Sequence, residues 1–261
     1  MNTLPNVNVN NKIDSYEVMV EPFHVDFTGR MFLGILGNHL LNAAGRHSHR
    51  RGWGISELNE AHYTWVLSRL CIEMNEMPQQ YETVCIETWV ESVMRLFTHR
   101  NFAILRPDGT AYGYARSVWA MIDMETRKPC DLLTLYDGDI LNYVVSPEEK
   151  ACPIEGHSPF RIREAELQRT IDTHYSDVDI NGHINSIKYI EHILDLFPGE
   201  RFQQQGIGRF EIAYKAEAYM GDRLSFYVQP TDEALQDSFD IEVRRNGGDI
   251  VCQSRVVFRN R

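Results

Sequence analysis

Apolar and polar positions along the first half of the chain alternate in short runs broken by one long helical run. Tyr16, Val18 and Val20 fall on alternate positions, as in a half-buried strand. Asp26-Phe27-Thr28-Gly29-Arg30 then leads into a helix running to about Arg51, with Leu33, Leu36, Leu40 and Ala44 on one face. Gly52 ends it. Strands follow at Val66 to Met74, at Val84 to Val90, and at Phe102 and Ile104, where a Pro107-Asp108-Gly109 turn closes the run. A longer strand spans Ala111 to Asp123. One helix followed by antiparallel strands is an α+β pattern, a sheet wrapped on a single helix.

The pattern breaks from about Thr126 to Phe160, where Pro129, Pro147, Pro153 and Pro159 mark a connector. Its length predicts that part of it lies along the sheet. Then the first half recurs. Asp26-Phe27-Thr28-Gly29-Arg30-Met31 aligns with Asp179-Ile180-Asn181-Gly182-His183-Ile184, 153 residues on, and Leu40 falls on Ile193 at the same offset. Four alternating runs follow, centred on Ile212, Phe226, Ile241 and Val256. This is a tandem duplication. It divides the chain into an N-terminal domain over 12–125, a linker over 126–160 and a C-terminal domain over 161–261.

The second copy of the turn carries the chemistry. Asn181-Gly182 between Ile180 and Ile184 suits a hairpin tip. However, Ile184, Ile187, Ile190, Ile193, Leu194 and Phe197 recur at spacings of three and four, and Pro198-Gly199 stops the run. The expectation is therefore that Asn181-Gly182 starts a helix, with His183 in or beside its first turn. Unpaired amides and the helix dipole there would stabilise an oxyanion. Asp179 can orient or deprotonate a water, and Asn181 and His183 can donate hydrogen bonds. Asn185 extends the spacing. Any one of these residues alone is more simply a cap or a half-buried polar group; their convergence on one turn favours a site. In the first half Arg30 replaces His183 and Thr28 replaces Asn181, which predicts one site per chain.

Charge and cysteine usage narrow the class. Lys and Arg number 26 against 37 Asp and Glu, a net charge of −11, which disfavours nucleic acid or an anionic membrane as partner. Cys71, Cys85, Cys130, Cys152 and Cys252 are scattered, odd in number and never in a C-x-x-C pair. That predicts reduced thiols in a cytoplasmic protein rather than a disulfide or zinc framework. The Asn-rich stretch Met1 to Asn11 has neither the basic start nor the apolar core of a signal peptide. No apolar run approaches the ~20 residues of a membrane span. His47 and His49 sit among Arg46, Arg50 and Arg51, but histidines two apart on a helix face different ways, so the expectation there is a basic helix end and no metal site.

Residues 176 to 190, Ser-Asp-Val-Asp-Ile-Asn-Gly-His-Ile-Asn-Ser-Ile-Lys-Tyr-Ile, resemble the signature of the plant and bacterial acyl-ACP thioesterases, and the resemblance extends from about Tyr16 to Phe258. It implies a tandem double hot-dog fold, an activity that releases free fatty acids from acyl carrier protein in fatty acid biosynthesis, and no cofactor or metal. It also implies that Tyr214-Lys215-Ala216-Glu217-Ala218 brings Glu217 to the site from the strand after the helix. The family often has a cysteine after this glutamate; here it is Ala218, which excludes a thiol nucleophile at that position. The expected mechanism then rests on oxygen: Asp179 and Glu217 activate water, while His183, Asn181 and helix amides hold the oxyanion and leaving group, with attack by a carboxylate as the other route.

Acyl carrier protein is the implied partner, with Arg46, Arg50, Arg51, Arg161, Arg163, Arg244 and Arg245 as docking candidates and a homodimer as the assembly to test. An acyl-CoA thioesterase or a hot-dog dehydratase is the alternative reading, and a non-enzymatic acyl-binding module the third. The resemblance further implies that the first half holds the acyl chain. Gly34 and Gly37, aligned with Ile187 and Ile190, would make a slot for it; close helix packing is the competing explanation.

Overall fold

The computed structural model describes residues 11–231 and 237–261. The Asn-rich stretch read against a signal peptide lies outside them except for Asn11. The chain forms β1 (Asp14–Met19), a 3-10 turn at Pro22–His24, α1 (Leu33–His49), α2 (Ile55–Glu60), β2 (Tyr63–Met74), β3 (Thr83–Val93), β4 (Thr98–Leu105) and β5 (Ala111–Asp123). The connector contains a 3-10 segment at Leu135–Tyr143. There follow β6 (Glu166–Asp172), a 3-10 turn at Tyr175–Asp177, α3 (Ser186–Leu194), α4 (Gly199–Gln204), β7 (Gln205–Tyr214), β8 (Arg223–Pro230), β9 (Ser238–Arg245) and β10 (Asp249–Asn260).

These elements group into two compact units whose segments interleave along the chain. Among the described residues, one holds 11–19, 39–67 and 83–154; the other holds 20–38, 68–82, 155–231 and 237–261. The duplication, by contrast, divides the sequence end to end, so the turn at Asp26 belongs to the compact unit that also contains the turn at Asp179.

In the first unit the strands run in the order β1-β3-β4-β5-β2. Alternation sets their register: Tyr16 faces Ile86, and Ile86 faces Ile104, all buried. Against this face lies the end of α1, with Leu40, Ala43, Ala44 and His47 buried. The basic helix end expected there is only partly on the surface. Arg51 is buried and grips the buried Asp14 through both guanidinium nitrogens, at 3.0 and 3.1 Å. A buried pair this well matched costs more to break than to keep. His47 lies between the Lys12 carbonyl, 3.0 Å from Nε2, and Arg100, 3.3 Å from Nδ1. His49 instead pairs with Glu57 at 2.7 Å. Arg51 therefore leaves the set of docking candidates, and Arg46 and Arg50 remain exposed, stacked over Tyr16. The connector is pinned to the sheet as expected: Val145 donates to the Val90 carbonyl at 2.8 Å, Leu132 to that of Arg95 at 2.9 Å, and Lys150 pairs with Glu87.

In the second unit the order is β2-β7-β10-β9-β8-β6, with Leu70 opposite Ile212 and Ile72 opposite Phe210. Ile187, Tyr189, Ile190 and Ile193 of α3 are buried, the Tyr214 hydroxyl of β7 donates to the Ser186 carbonyl at 2.8 Å, and His192 meets the Phe226 ring of β8 edge-on. The helix ends earlier than the apolar spacing implies. Its C-cap is Asp195, and Pro198 is the N-cap of α4 rather than the stop of α3. The connector is held here too, by Ser158, whose amide and hydroxyl both donate to the buried Glu211 at 2.7 and 3.0 Å.

Gly34 and Gly37 face α3. A Cβ added at Gly34 would fall 2.8 Å from Glu191 Cγ, and one at Gly37 would fall 2.8 Å from Ile187 Cδ1 and 3.6 Å from Ile190 Cδ1. The space opposite these glycines is filled by side chains of the other helix. The geometry is that of close packing, in which one copy of the helix gives up side chains where the other supplies isoleucine.

Candidate active site

The turn at 178–184 is a tight loop closed by an antiparallel bridge between Val178 and Ile184. Asp179 donates its amide to the His183 carbonyl at 2.8 Å, and Gly182 donates to the Asp179 carbonyl at 3.0 Å. Gly182 has φ +79°, where a side chain is strained. The hairpin character of Asn181-Gly182 is therefore real, and the expectation that this dipeptide starts the helix is corrected. Helix α3 begins at Ser186, and its N-cap is Asn185, whose Oδ1 accepts from the Ile187 amide at 2.9 Å. Asn185 thus caps the helix, and the first-turn amide of Ile187 is already taken.

Asp179 is spent largely on the loop. Its Oδ1 accepts from the amides of Asn181 at 2.8 Å and His183 at 3.4 Å. The first half repeats this arrangement. Asp26 Oδ1 accepts from the amides of Thr28 at 2.7 Å and Arg30 at 3.5 Å, Asp26 N donates to the Arg30 carbonyl, and Gly29 has φ +76°. An aspartate of this kind holds the loop whether or not chemistry is present.

What the second copy adds is a pair. His183 Nε2 lies 3.4 Å from Glu217 Oε2, with both side chains partly exposed. Glu217 sits in the loop after β7, not in the strand itself. That loop is tied to the turn by Ile184, whose amide donates to the Ala218 carbonyl at 2.8 Å, and to the end of β9 by Arg245, which donates to the Glu217 carbonyl at 2.9 Å. Tyr219 completes the cluster: its hydroxyl is 3.3 Å from Glu217 Oε2, and its ring meets the His183 ring edge-on with centroids 5.2 Å apart.

The matching loop of the first half makes the same backbone bonds. Met31 donates to the Pro78 carbonyl where Ile184 donates to that of Ala218, and the Gln79 amide is held by the Glu82 carboxylate as the Tyr219 amide is by Asp222. Met77 therefore stands where Glu217 does, and Gln79 where Tyr219 does. Neither member of the imidazole–carboxylate pair exists in the first half.

Of the sequence-predicted residues, His183 and Glu217 come together, Asp179 bonds to the His183 backbone, and Asn181 lies exposed with its side chain free of hydrogen bonds among the described residues. Behind the turn, the buried Asp177 accepts from His192 Nε2 at 3.1 Å and from the His174 amide at 2.8 Å. Sequence reasoning missed Tyr219 and took Arg245 for a surface charge. Among the described residues no group of three or more His, Cys, Asp or Glu is placed to hold a metal ion. None of the five thiols is in a disulfide, and burial pushes those of Cys130, Cys152 and Cys252 up, away from the reactive thiolate.

Residues 11–136 match the acyl-ACP thioesterase N-terminal domain and residues 161–260 the acyl-ACP thioesterase C-terminal domain. The structure superposes on that of an acyl-ACP thioesterase from Bacteroides thetaiotaomicron with a TM-score of 0.88 and 54% identity, covering 95% of this chain and 98% of that one. A 12:0-ACP thioesterase from Umbellularia californica shares the fold, with a TM-score of 0.83 at 18% identity over 97% and 95% of the two chains. The oleoyl-acyl carrier protein thioesterase of Coriandrum sativum is 24% identical over 75% of this chain and 56% of its own length, and the chain spans about half the length of the curated plant relatives it matches. With a duplicated helix-and-sheet fold and family matches over both halves, the chain belongs to the acyl-ACP thioesterase family.

Proposed function

We propose that the protein hydrolyses the thioester of fatty acyl-acyl carrier protein to a free fatty acid and the carrier thiol, ending chain elongation in fatty acid biosynthesis. The observation that carries this reading is the His183–Glu217 pair at 3.4 Å on a loop whose copy in the first half lacks both groups. Glu217 takes a proton from water as its oxygen attacks the thioester carbon. The carbonyl oxygen gains charge and is met by N–H donors, with the exposed side-chain amide of Asn181 within the same turn. The C–S bond then breaks, and the sulfur leaves with a proton delivered through His183. Asp179 fixes the backbone from which His183 projects. The absence of a thiol from the site favours water over a cysteine nucleophile; attack by Glu217 through an anhydride is the other oxygen route.

The partner in this reading is acyl carrier protein, an acidic protein, and the exposed Arg161 and Arg163 remain docking candidates together with Arg46 and Arg50. Arg244 and Arg245 are engaged with Glu242 and Asp249, which weakens the case for them. No helix among the described residues is long and apolar enough to cross a membrane. We read the protein as cytoplasmic, from its reduced thiols, and as a homodimer, which light scattering after gel filtration tests. The alternative is an acyl-CoA thioesterase. Free-thiol release measured on matched acyl-ACP and acyl-CoA series separates the two: higher kcat/KM on acyl-ACP supports the proposal, and turnover of acyl-CoA alone refutes it.

A further inference from the structure

We infer that Tyr219 is a positioning residue of the site, holding Glu217 towards His183 and tuning the carboxylate, an inference that rests on the thioesterase reading. Four contacts carry it. The phenol oxygen is 3.3 Å from Glu217 Oε2, the same oxygen that faces His183 Nε2 at 3.4 Å. The ring stands edge-on to the His183 ring at 5.2 Å and 80°, which limits rotation of the imidazole. The backbone of Tyr219 is itself fixed at both ends: its amide donates to Asp222 Oδ2 at 2.8 Å, and its carbonyl accepts from Thr173 Oγ1 at 2.7 Å. A side chain anchored in this way touches both members of the pair at once.

The duplication supplies a control. Gln79 occupies the matching place in the first half with the same backbone bonds, so the loop does not need a tyrosine in order to fold. The change from Gln79 to Tyr219 accompanies the changes from Arg30 to His183 and from Met77 to Glu217. Tyr219 is also 44% exposed, so burial of its ring does not explain it. A hydrogen bond donated to a carboxylate favours the charged form, the form in which Glu217 can accept a proton from water. The other charged groups at the cluster are Arg245 on the Glu217 carbonyl, Asp222 on the Tyr219 amide and Asp179 on the His183 amide, and all are retained in the variants below.

The test compares the full chain with Tyr219→Phe, which removes only the hydroxyl, and Tyr219→Leu, which removes the ring as well. Steady-state rates on acyl-ACP across pH are read beside thermal unfolding and the His183 ring signals followed by NMR through a pH titration without substrate. Tyr219→Phe should lower kcat about tenfold with KM within about twofold, leave Tm unchanged, and move the acid limb of the kcat profile upward. Tyr219→Leu should lower kcat further. The His183 titration midpoint should rise in Tyr219→Phe, because Glu217 is no longer shared with the phenol. Parental kcat and an unmoved acid limb in Tyr219→Phe would overturn the inference, as would losses of kcat and Tm in step. If the parent releases no thiol from any acyl-ACP, the functional reading fails by itself, and the NMR arm still decides Tyr219: a raised midpoint supports its contact with the pair, and an unchanged one refutes it.

Discussion

Asp26 and Asp179 accept the same backbone hydrogen bonds, each through Oδ1 from the amides two and four residues on. Only one of the two loops carries an imidazole and a carboxylate partner. The shared aspartate holds the loop in both copies, and the imidazole–carboxylate pair is what the second copy adds.

This predicts a graded result at Asp179. Asparagine keeps the Oδ1 acceptor, so Asp179→Asn should hold the loop and retain kcat within about tenfold. Asp179→Leu removes both loop bonds and should lower kcat by at least ~100-fold through a displaced His183, with a hydrogen bond or two lost from stability, about 1–3 kcal/mol. A kcat for Asp179→Asn as low as that of Asp179→Leu would make Asp179 the water-activating base instead.

Helix packing gives a second prediction. Gly37→Ile drives a branched side chain into Ile187 and Ile190, an overpacking that costs about 1–3 kcal/mol. Thermal unfolding should shift down, and kcat/KM should change alike for every acyl length. Gly37→Ala combined with Ile187→Val should recover part of the loss. A shift in preference towards short chains at unchanged Tm would instead support an acyl slot at this position.

The thiols give a third. With Cys71 and Cys252 buried, and Cys85, Cys130 and Cys152 free but outside the His183–Glu217 contacts, a variant with all five changed to serine or alanine should keep most of its kcat if folded. Substrate-protected inactivation traced to one alkylated cysteine would contradict this.

A fourth concerns acid. Burial, then the charges of Arg100 and Arg51, push the His47 imidazole down to about 2. The unfolded chain takes up a proton there near pH 6.5 and the folded chain does not. This contribution to stability is therefore whole above about pH 6.5 and falls as pH drops below it, by up to about 1.4 kcal/mol per unit. Asp14 adds to the loss at lower pH: burial raises its carboxyl, but bonds from Arg51 and Tyr16 outweigh this and leave it below the ordinary 3.8. Its contribution is present above that value and fades as pH falls through the lowered one. Denaturant unfolding of His47→Gln should show a flatter decline between pH 6.5 and 4.5 than the parent; an equal slope would place the acid sensitivity elsewhere.

Much of this architecture is written in local pattern. The strand Ala111–Asp123 is read to the residue, because the Pro107-Asp108-Gly109 turn, with Gly109 at φ +86°, punctuates its start. The start of α3 is misread because Ile184 satisfies two periods at once: it bridges Val178 across the turn and sits three residues before Ile187. Helix α2 goes unseen, since six residues with one buried side chain, Leu58, carry no period. Arg51 reads as surface charge because its partner Asp14 is distant in sequence. Glu217 and Tyr219 lie in an irregular loop, where no spacing announces a site. Family resemblance supplies the first, and only the matched hydrogen bonds of the two loops expose the second.

In the proposed reaction Glu217 is the group that activates water. Free-thiol release from acyl-ACP by Glu217→Gln, measured beside the parent and with thermal unfolding of both, tests it. The predicted result is a kcat at least ~100-fold lower at an unchanged Tm; a folded Glu217→Gln protein that turns over at the parental rate would contradict it.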